Sequence, residues 1–151
     1  MAGRILAIDF GLKRMGLAIS DALGLTAQGL ATLERTRMQD TLQHIQQLAE
    51  EQGAKRVIVG NPISRAGRET AMSRQAAAFV EKLRRRLACP VELWDERLTT
   101  AEANRMLRHT GLGLEKRRRA VDRVAATLLL QSYLDFQANE RQRCRASGAE
   151  S

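Results

Sequence analysis

Cysteine, histidine and aromatic residues are all scarce in this 151-residue sequence. The two cysteines, Cys89 and Cys144, fit neither a disulfide framework nor a zinc-ligand spacing. Because His44 and His109 are the only histidines, imidazole-based metal chemistry is almost excluded. The few aromatic residues are too scattered for a base-stacking platform, which argues against a single-strand reader built on aromatic stacking.

Long apolar runs are also missing. The longest, residues 124–130 interrupted by Thr127, is far short of the roughly 20 residues that span a bilayer. Near the amino terminus, the apolar residues 5–8 are followed at once by Asp9, which argues against a secretion signal. We therefore expect no membrane contact and a cytoplasmic location.

Positive charge is abundant. The chain has 25 Lys and Arg against 17 Asp and Glu, a net charge of +8, and 21 of the 25 cations are Arg. Arginine binds phosphate through a bidentate fork, so a polyanionic partner is the leading inference. The alternative is a basic surface that only keeps the protein soluble.

The apolar pattern predicts an α/β domain. We expect strands over residues 5–9, 16–20, 29–34, 55–60 and 91–94. Helices are expected over about 38–52, with Gly53 as its cap, over 69–88 and 99–110, and around residues 121–129. Three early strands followed by alternating helices and strands predict a mixed five-stranded sheet, namely a three-strand antiparallel meander plus two parallel crossover strands, flanked by helices. We expect a single domain over 1–137 and a polar, flexible tail over 138–151.

Three carboxylates stand where chemistry is expected. Asp9 ends the first strand, Glu96 follows the fifth, and Asp122 lies in the last helix. Acids at the carboxyl ends of neighbouring parallel strands open into one crevice, where their mutual repulsion is removed by a hard divalent cation. Two Mg²⁺ ions about 4 Å apart can activate water and stabilise the leaving oxygen in phosphodiester hydrolysis.

Each acid also has a simpler interpretation. Asp9 can form a turn before Gly11, Glu96 can pair with Arg97, and Asp122 can pair along its helix. The fourth strand ends in Gly60-Asn61-Pro62 without a carboxylate, so Glu96 must reach across from the fifth strand. Asp95 is the alternative second acid if strand alternation turns Glu96 outward.

The strongest signal is the order of four motifs along the chain. They are Asp9-x-Gly11-x-x-Arg14-x-Gly16-x-Ala18, Val59-Gly60-x-Pro62, Asp95-Glu96-Arg97-Leu98-Thr99-Thr100-x-Glu102-Ala103 and Val121-Asp122-x-x-Ala125-Ala126. Over about residues 4–136 the chain closely resembles the YqgF (RuvX) family.

This resemblance implies an RNase H-like fold and a metal-dependent nuclease site, in which Asp9, Glu96 and Asp122 match the acidic positions of the family. It further implies a nuclease that matures the 5′ end of precursor 16S rRNA, or a Holliday junction resolvase. One departure is that Asn61 and residues 64–66 replace the Leu and the Asn-Met-Asp-Gly type loop usual in the family, which affects substrate contacts made by the 61–67 loop.

The leading hypothesis is therefore a Mg²⁺- or Mn²⁺-dependent endonuclease acting on structured or precursor RNA, with Asp9, Glu96 and Asp122 as metal ligands and catalytic acids. The expected phosphate contacts are Arg14, Arg97, Lys116, Arg117, Arg118 and Arg119. Branched DNA is the alternative substrate, and its symmetric cleavage would require a homodimer, so the oligomeric state stays open. A non-catalytic nucleic-acid-binding factor is a further alternative. An actin-like ATPase is disfavoured because 151 residues leave no room for a duplicated domain.

Overall fold

A five-stranded mixed sheet organises the computed structural model, which describes residues 3–11, 13–61, 71–95 and 114–149. The side chains of residues 61, 95, 114–123 and 145–149 are outside this description. The elements in chain order are β1 (Arg4–Asp9), β2 (Arg14–Ser20), β3 (Ala27–Glu34), α1 (Met38–Gln52), β4 (Ala54–Asn61), α2 (Ala71–Arg86), β5 (Val91–Asp95) and α3 (Leu114–Ala149).

The strand order is β3-β2-β1-β4-β5, so β1 is the central strand. β1 pairs antiparallel with β2, and β2 pairs antiparallel with β3, which forms the predicted meander. β4 is parallel to β1 and β5 is parallel to β4, which makes these two the predicted crossover strands. The predicted fold class is confirmed.

Alternation along the strands divides the core into two layers. Leu6 and Ile8 of β1 pack on one face with the apolar stripes of α1 and α2, including Ile45 and Phe79. The intervening Ala7 packs on the opposite face against α3, in a cluster completed by Ala18, Ile58, Ala126, Leu129, Leu130, Tyr133 and Leu134. The sheet is thus a middle layer, with α1 and α2 on one side and α3 on the other.

The ends of α1 and α2 follow from local chemistry. α1 has the predicted bounds, and Gly53 caps it in the left-handed region at φ 66°, where its N–H reaches the carbonyls of Ala49 and Glu50. α2 ends at Arg86, two residues before the predicted end, because Pro90 has no N–H to donate to the Arg86 carbonyl and its ring would clash with that carbonyl in a continued helix. Its predicted start at Glu69 and the predicted helix over 99–110 fall on residues that the structure leaves undescribed.

α3 corrects one expectation. Residues 138–149 were expected to lack regular structure, but they continue α3 without interruption. This segment has no apolar period, yet half of its residues are Arg or Ala, which are good helix formers. An ion pair between Arg143 and Glu140, three residues apart, adds local support. The division into a domain over 1–137 and a tail over 138–151 stays a prediction.

None of the helices in the described part of the chain has the length and hydrophobicity of a membrane-spanning segment.

Candidate active site

Asp9 is the last residue of the central strand. It lies opposite Gly16 of β2, and the preceding Ile8 lies beside Val59 of β4. Because Ala7 belongs to the α3 cluster, strand alternation puts half-buried Asp9 on the same face of the sheet. Asp9 therefore stands at the carboxyl edge of the sheet, on the side that α3 covers.

The neighbouring parallel strands end at the same edge. Asn61, the last residue of β4, pairs in register with Asp95, the last residue of β5. β4 lies between β1 and β5, so the fifth strand stands two strand spacings, about 10 Å, from Asp9. β4 thus separates Asp9 from the end of β5, and it ends in an amide rather than a carboxyl residue.

The turn between β1 and β2 is tight. A Cβ atom added to Gly11 would lie 2.3 Å from the carbonyl oxygen of Arg14, so only glycine fits at this position. Arg14 begins β2, and alternation through Gly16 to Ala18 assigns it to the face of Asp9. The structure brings the two predicted residues Asp9 and Arg14 to one edge and one face.

Arg35 braces this turn, which the sequence analysis did not predict. Its Nη1 donates a hydrogen bond of 2.9 Å to the carbonyl oxygen of Gly11, and its backbone N–H donates to the carbonyl of Lys13. Its guanidinium lies 4.8 Å from the centre of the Phe10 ring. Arg35 follows β3, two strands away from β1, so only the pairing of the strands reveals this contact.

α3 extends from the far end of the sheet toward Asp9. Tyr133, Leu134 and Arg141 line a cavity together with Gly3 and Ile5, at the amino end of β1. The earlier turns of α3 therefore extend toward the carboxyl end of β1, since α3 packs along this strand. The backbone of Asp122 lies in these turns, and helical spacing assigns position 122 to the stripe of Ala126 and Leu129. The predicted basic residues Lys116, Arg117, Arg118 and Arg119 form the first turns of the same helix.

Two predicted site residues, Glu96 and Arg97, and the divergent loop after Asn61 fall outside the described residues. Within the described ranges, no three His, Cys, Asp or Glu side chains are grouped to hold a metal ion. The placement of the complete acidic set thus stays a prediction.

A second polar cluster lies on the α3 face, away from Asp9. Arg56 Nη1 donates to Glu92 Oε1 at 2.9 Å and to the Tyr133 hydroxyl oxygen at 2.6 Å, and the Tyr133 hydroxyl donates to Glu92 Oε1 at 2.8 Å. Tyr133 is only 1% exposed. Burial raises the pKa of its hydroxyl, and the hydrogen bond from Arg56 opposes this change. The cluster joins β4, β5 and α3, and the sequence analysis missed it.

The chain matches a known protein family over most of its length. A family model described as "RuvX: Holliday junction resolvase" matches residues 3–136. The chain belongs to the RuvX family. The resemblance drawn from the four sequence motifs is confirmed.

Relatives of similar length support this membership. A protein of Koribacter versatilis (strain Ellin345), named "Putative pre-16S rRNA nuclease", is 42% identical over 140 residues, which cover 93% of this chain and 92% of that protein. A protein of the same name from Desulforudis audaxviator (strain MP104C) is 39% identical over 138 residues, covering 91% of this chain and 98% of the relative.

Solved structures show the same fold. Thermus thermophilus RuvC in complex with a Holliday junction substrate has a TM-score of 0.53 at 15% identity, with 90% of this chain and 96% of that chain covered. The yeast mitochondrial Holliday junction resolvase Ydc2 has a TM-score of 0.58 at 12% identity, with 96% and 84% covered. At these identities the likeness shows the fold alone, and it confirms the RNase H-like fold of this RuvX family member.

Proposed function

We propose that this RuvX family member is a divalent-metal-dependent endonuclease that processes the 5′ end of precursor 16S rRNA in the cytoplasm. Family membership supports a hydrolase of phosphodiester bonds, and the names of relatives about 40% identical support the rRNA substrate. The observation that carries the proposal is the position of Asp9, at the carboxyl end of the central strand on the face that α3 covers.

The chemistry of the donors fits a hard divalent cation. The proposed ligands Asp9, Glu96 and Asp122 offer only carboxylate oxygens, which Mg²⁺ and Mn²⁺ prefer over imidazole or thiolate. A bound ion would supply Lewis-acid stabilisation of the phosphate charge and lower the pKa of a water molecule. We propose two metal ions rather than one, because three carboxylates are available to hold them.

We choose Glu96 rather than Asp95 as the second acid. Along β5, Glu92 and Trp94 contact α3 residues, whereas Val91 and Leu93 pack toward α1 and α2. Alternation assigns position 95 to the face of Leu93, opposite to the face of Asp9, which disfavours Asp95 as the second acid. The longer side chain of glutamate suits the distance across β4.

The remaining residues bind and orient the substrate. Arg14, on the face and edge of Asp9, neutralises a phosphate next to the cleaved bond, and Arg97 acts from the end of β5. The basic first turns of α3, residues 116–119, hold the strand as it leaves the site. Gly11 and Arg35 keep the β1–β2 turn in the shape that presents Asp9 and Arg14 together.

The test compares the wild-type protein with Asp9→Asn and with the control Asp40→Asn, an exposed change on α1. Each protein is incubated with precursor 16S 5′-leader RNA and with a four-way DNA junction, in Mn²⁺ and in EDTA. Binding is measured separately in EDTA. We expect cleavage of the RNA by the wild type and Asp40→Asn, loss of cleavage in Asp9→Asn and in EDTA, and unchanged binding throughout.

Junction cleavage is the second candidate function, favoured by the family description and by the resolvase fold. Preferential cutting of the junction in the same assay would select it over rRNA processing. If no substrate is cut in a manner that depends on Asp9 while binding persists, the protein is a nucleic-acid-binding factor and the nuclease proposal is wrong.

A further inference from the structure

A cavity of about 480 Å³ opens at the amino edge of the sheet, the edge opposite Asp9. Gly3 and Ile5 of the β1 end, the start of β4 and the second half of α3 enclose it. Along β1, Ile5 and Asp9 are four residues apart, which corresponds to about 13 Å of strand. The cavity is therefore separate from the candidate active site.

The charge of the cavity is positive. Its cations are Lys55, Arg56 and Arg141, and none of the described residues that line it is acidic. Arg56 is held by Glu92 and Tyr133. Within the described chain, neither Lys55 nor Arg141 is in an ion pair, and both are exposed. Two cations are thus available for an anionic ligand.

Lys55 is held in position by its neighbour. A Cβ atom added to Gly3 would lie 2.4 Å from Lys55 Cγ, which shows that the aliphatic stem of Lys55 packs directly on Gly3. The stem is thereby confined while the ammonium group extends to solvent. Because the Lys55 side chain already has less rotamer freedom, binding a phosphate here costs less side-chain entropy than binding it to a fully mobile lysine.

The rest of the lining is apolar and aromatic. Ile5, Leu134 and Tyr133 form the inner wall, and Leu23, which is 64% exposed, stands at the rim. Gln137 adds an amide, whose Nε2 donates to the Tyr133 hydroxyl. An apolar wall with two cations at the mouth suits a ligand with a flat ring and a phosphate, and the volume is within the range for small-ligand sites.

We propose that this cavity binds one nucleotide of the substrate strand, with its phosphate on Lys55 and Arg141 and its base against Ile5 and Leu134. The identity of the strand rests on the proposed nuclease function. At about 3.4 Å per stacked nucleotide, the 13 Å along β1 correspond to about four nucleotides. A stacked strand thus reaches the cavity about four nucleotides from the cleaved bond, and an extended strand reaches it with fewer.

The test measures binding of 5′-labelled single-stranded RNA from the precursor leader, cut to a series of lengths, in EDTA so that no cleavage occurs. The variant is Arg141→Glu and the control is Arg143→Glu, which lies on the same helix, is also exposed and does not line the cavity. Because Arg143→Glu removes the ion pair with Glu140, the helix content of both variants is compared by circular dichroism. We expect Arg141→Glu to bind long RNA about fivefold more weakly at about 0.1 M salt, the effect of one lost phosphate contact on a single strand. Arg143→Glu should change the affinity less than twofold.

Length dependence separates this site from a general effect of charge. RNA too short to extend from Asp9 to the cavity should bind the wild type and Arg141→Glu equally. A second comparison uses Lys55→Glu as the variant and Lys82→Glu as its control. Lys82 is on the exposed face of α2 and does not line the cavity. Equal losses in variants and controls, or a loss that is independent of length, would overturn the proposal.

The only tryptophan reports occupancy independently. Trp94 lies 5.1 Å from the Tyr133 ring, which lines the cavity, but it also precedes the proposed site residues Glu96 and Arg97 in the sequence. We therefore expect a smaller fluorescence change with long RNA in Arg141→Glu than in the wild type. RNA too short to reach the cavity should give the same change in both proteins. AMP and inorganic phosphate are titrated in parallel. A response to AMP at least as strong as the response to long RNA would identify a free mononucleotide as the ligand and overturn the strand proposal.

These binding results are distinct from those of the cleavage test. Cleavage that depends on Asp9, without any effect of Arg141→Glu on long RNA, would leave the nuclease proposal intact and reject the cavity proposal. Binding of long RNA that depends on Arg141, without cleavage of any substrate, would support the cavity proposal and reject the nuclease proposal.

Discussion

Arg35 Nη1 donates a 2.9 Å hydrogen bond to the carbonyl oxygen of Gly11. This contact crosses from the end of β3 to the end of β1, and the same side chain lies over the Phe10 ring, next to Asp9 in the sequence. A residue with no proposed contact to substrate thereby fixes the turn between the two proposed site residues, Asp9 and Arg14. Arg35 is a positioning residue.

Replacing Arg35 by lysine should therefore reduce turnover more than binding. The lysine keeps the positive charge but loses the planar fork that reaches Gly11 and stacks on Phe10. We expect the cleavage rate to fall about tenfold, which corresponds to the loss of about 1.4 kcal/mol from one charged hydrogen bond. RNA affinity in EDTA should stay within about twofold, and Arg37→Lys, an exposed change at the start of α1, should leave both unchanged. A loss of affinity equal to the loss of rate would indicate that Arg35 binds substrate directly.

Gly11→Ala tests the close approach within the same turn. Its Cβ would lie 2.3 Å from the Arg14 carbonyl oxygen, so the turn must open. We expect a loss of about 1–3 kcal/mol in the free energy of unfolding, measured by denaturant titration, together with a fall in cleavage of at least about tenfold. The control is Gly53→Ala, at a left-handed position with open space around it, which should cost about 1 kcal/mol and leave cleavage of the folded protein unchanged. Normal activity in Gly11→Ala would show that the turn tolerates opening.

Tyr133 should make the fold sensitive to alkaline pH. Burial raises the pKa of its hydroxyl above the usual value near 10. Above about pH 10 the unfolded chain therefore loses this proton before the folded chain does, so the free energy of unfolding falls as the pH rises through this range. Below about pH 9 the group is protonated in both states and contributes no pH dependence.

The chain has a single tyrosine, so an ultraviolet titration of phenolate formation reads Tyr133 alone. We expect its midpoint above the usual value in the folded protein and at the usual value in denaturant. Tyr133→Phe should be less stable at pH 7 by about 1–2 kcal/mol, because the hydrogen bonds with Arg56 and Glu92 are lost, and its stability should fall less steeply above pH 10. A folded-state midpoint at or below the usual value would contradict this expectation.

The two cysteines should react at different rates. Burial raises the pKa of the Cys89 thiol, which lowers its thiolate fraction, whereas Cys144 is exposed on α3. At about pH 8.5 we expect iodoacetamide to modify Cys144 several times faster than Cys89, as measured by peptide mass spectrometry. Cys144→Ser should leave only the slow reaction, and unfolding should make the two rates similar. Faster modification of Cys89 in the folded protein would refute the prediction.

Much of this fold could be predicted from local patterns. The continuous apolar runs of β1 and β4 identify buried strands, and the stripe of α1 ending at Gly53 gave the observed bounds. The position of Asp9 at the carboxyl end of β1 could be predicted because it ends such a run. The helix over 138–149 was missed because its polar residues form a helix through intrinsic propensity, and no apolar period indicates it.

Contacts that depend on strand pairing could not be predicted from local sequence patterns. Arg35 reaches Gly11 only because β3 pairs with β2 and β2 with β1. Arg56 and Glu92 meet because Ile58 pairs with Glu92, which brings two positions of one face together. Alternation along each strand could have assigned both residues to the α3 face, but the register was needed to place them side by side.

The central position of β1 also determines when the site can form during synthesis. Leu6 is paired with Ile19 on one side and with Val57 on the other, so the meander is complete long before the second neighbour of β1 leaves the ribosome. Until then the nascent chain carries an apolar strand with one open edge, which other unfinished strands can join. A chain that stops before β4 would thus be prone to aggregation, and Asp9 would lack the crevice that only parallel neighbours create. The candidate active site is therefore complete only after the later strands β4 and β5 have been synthesised.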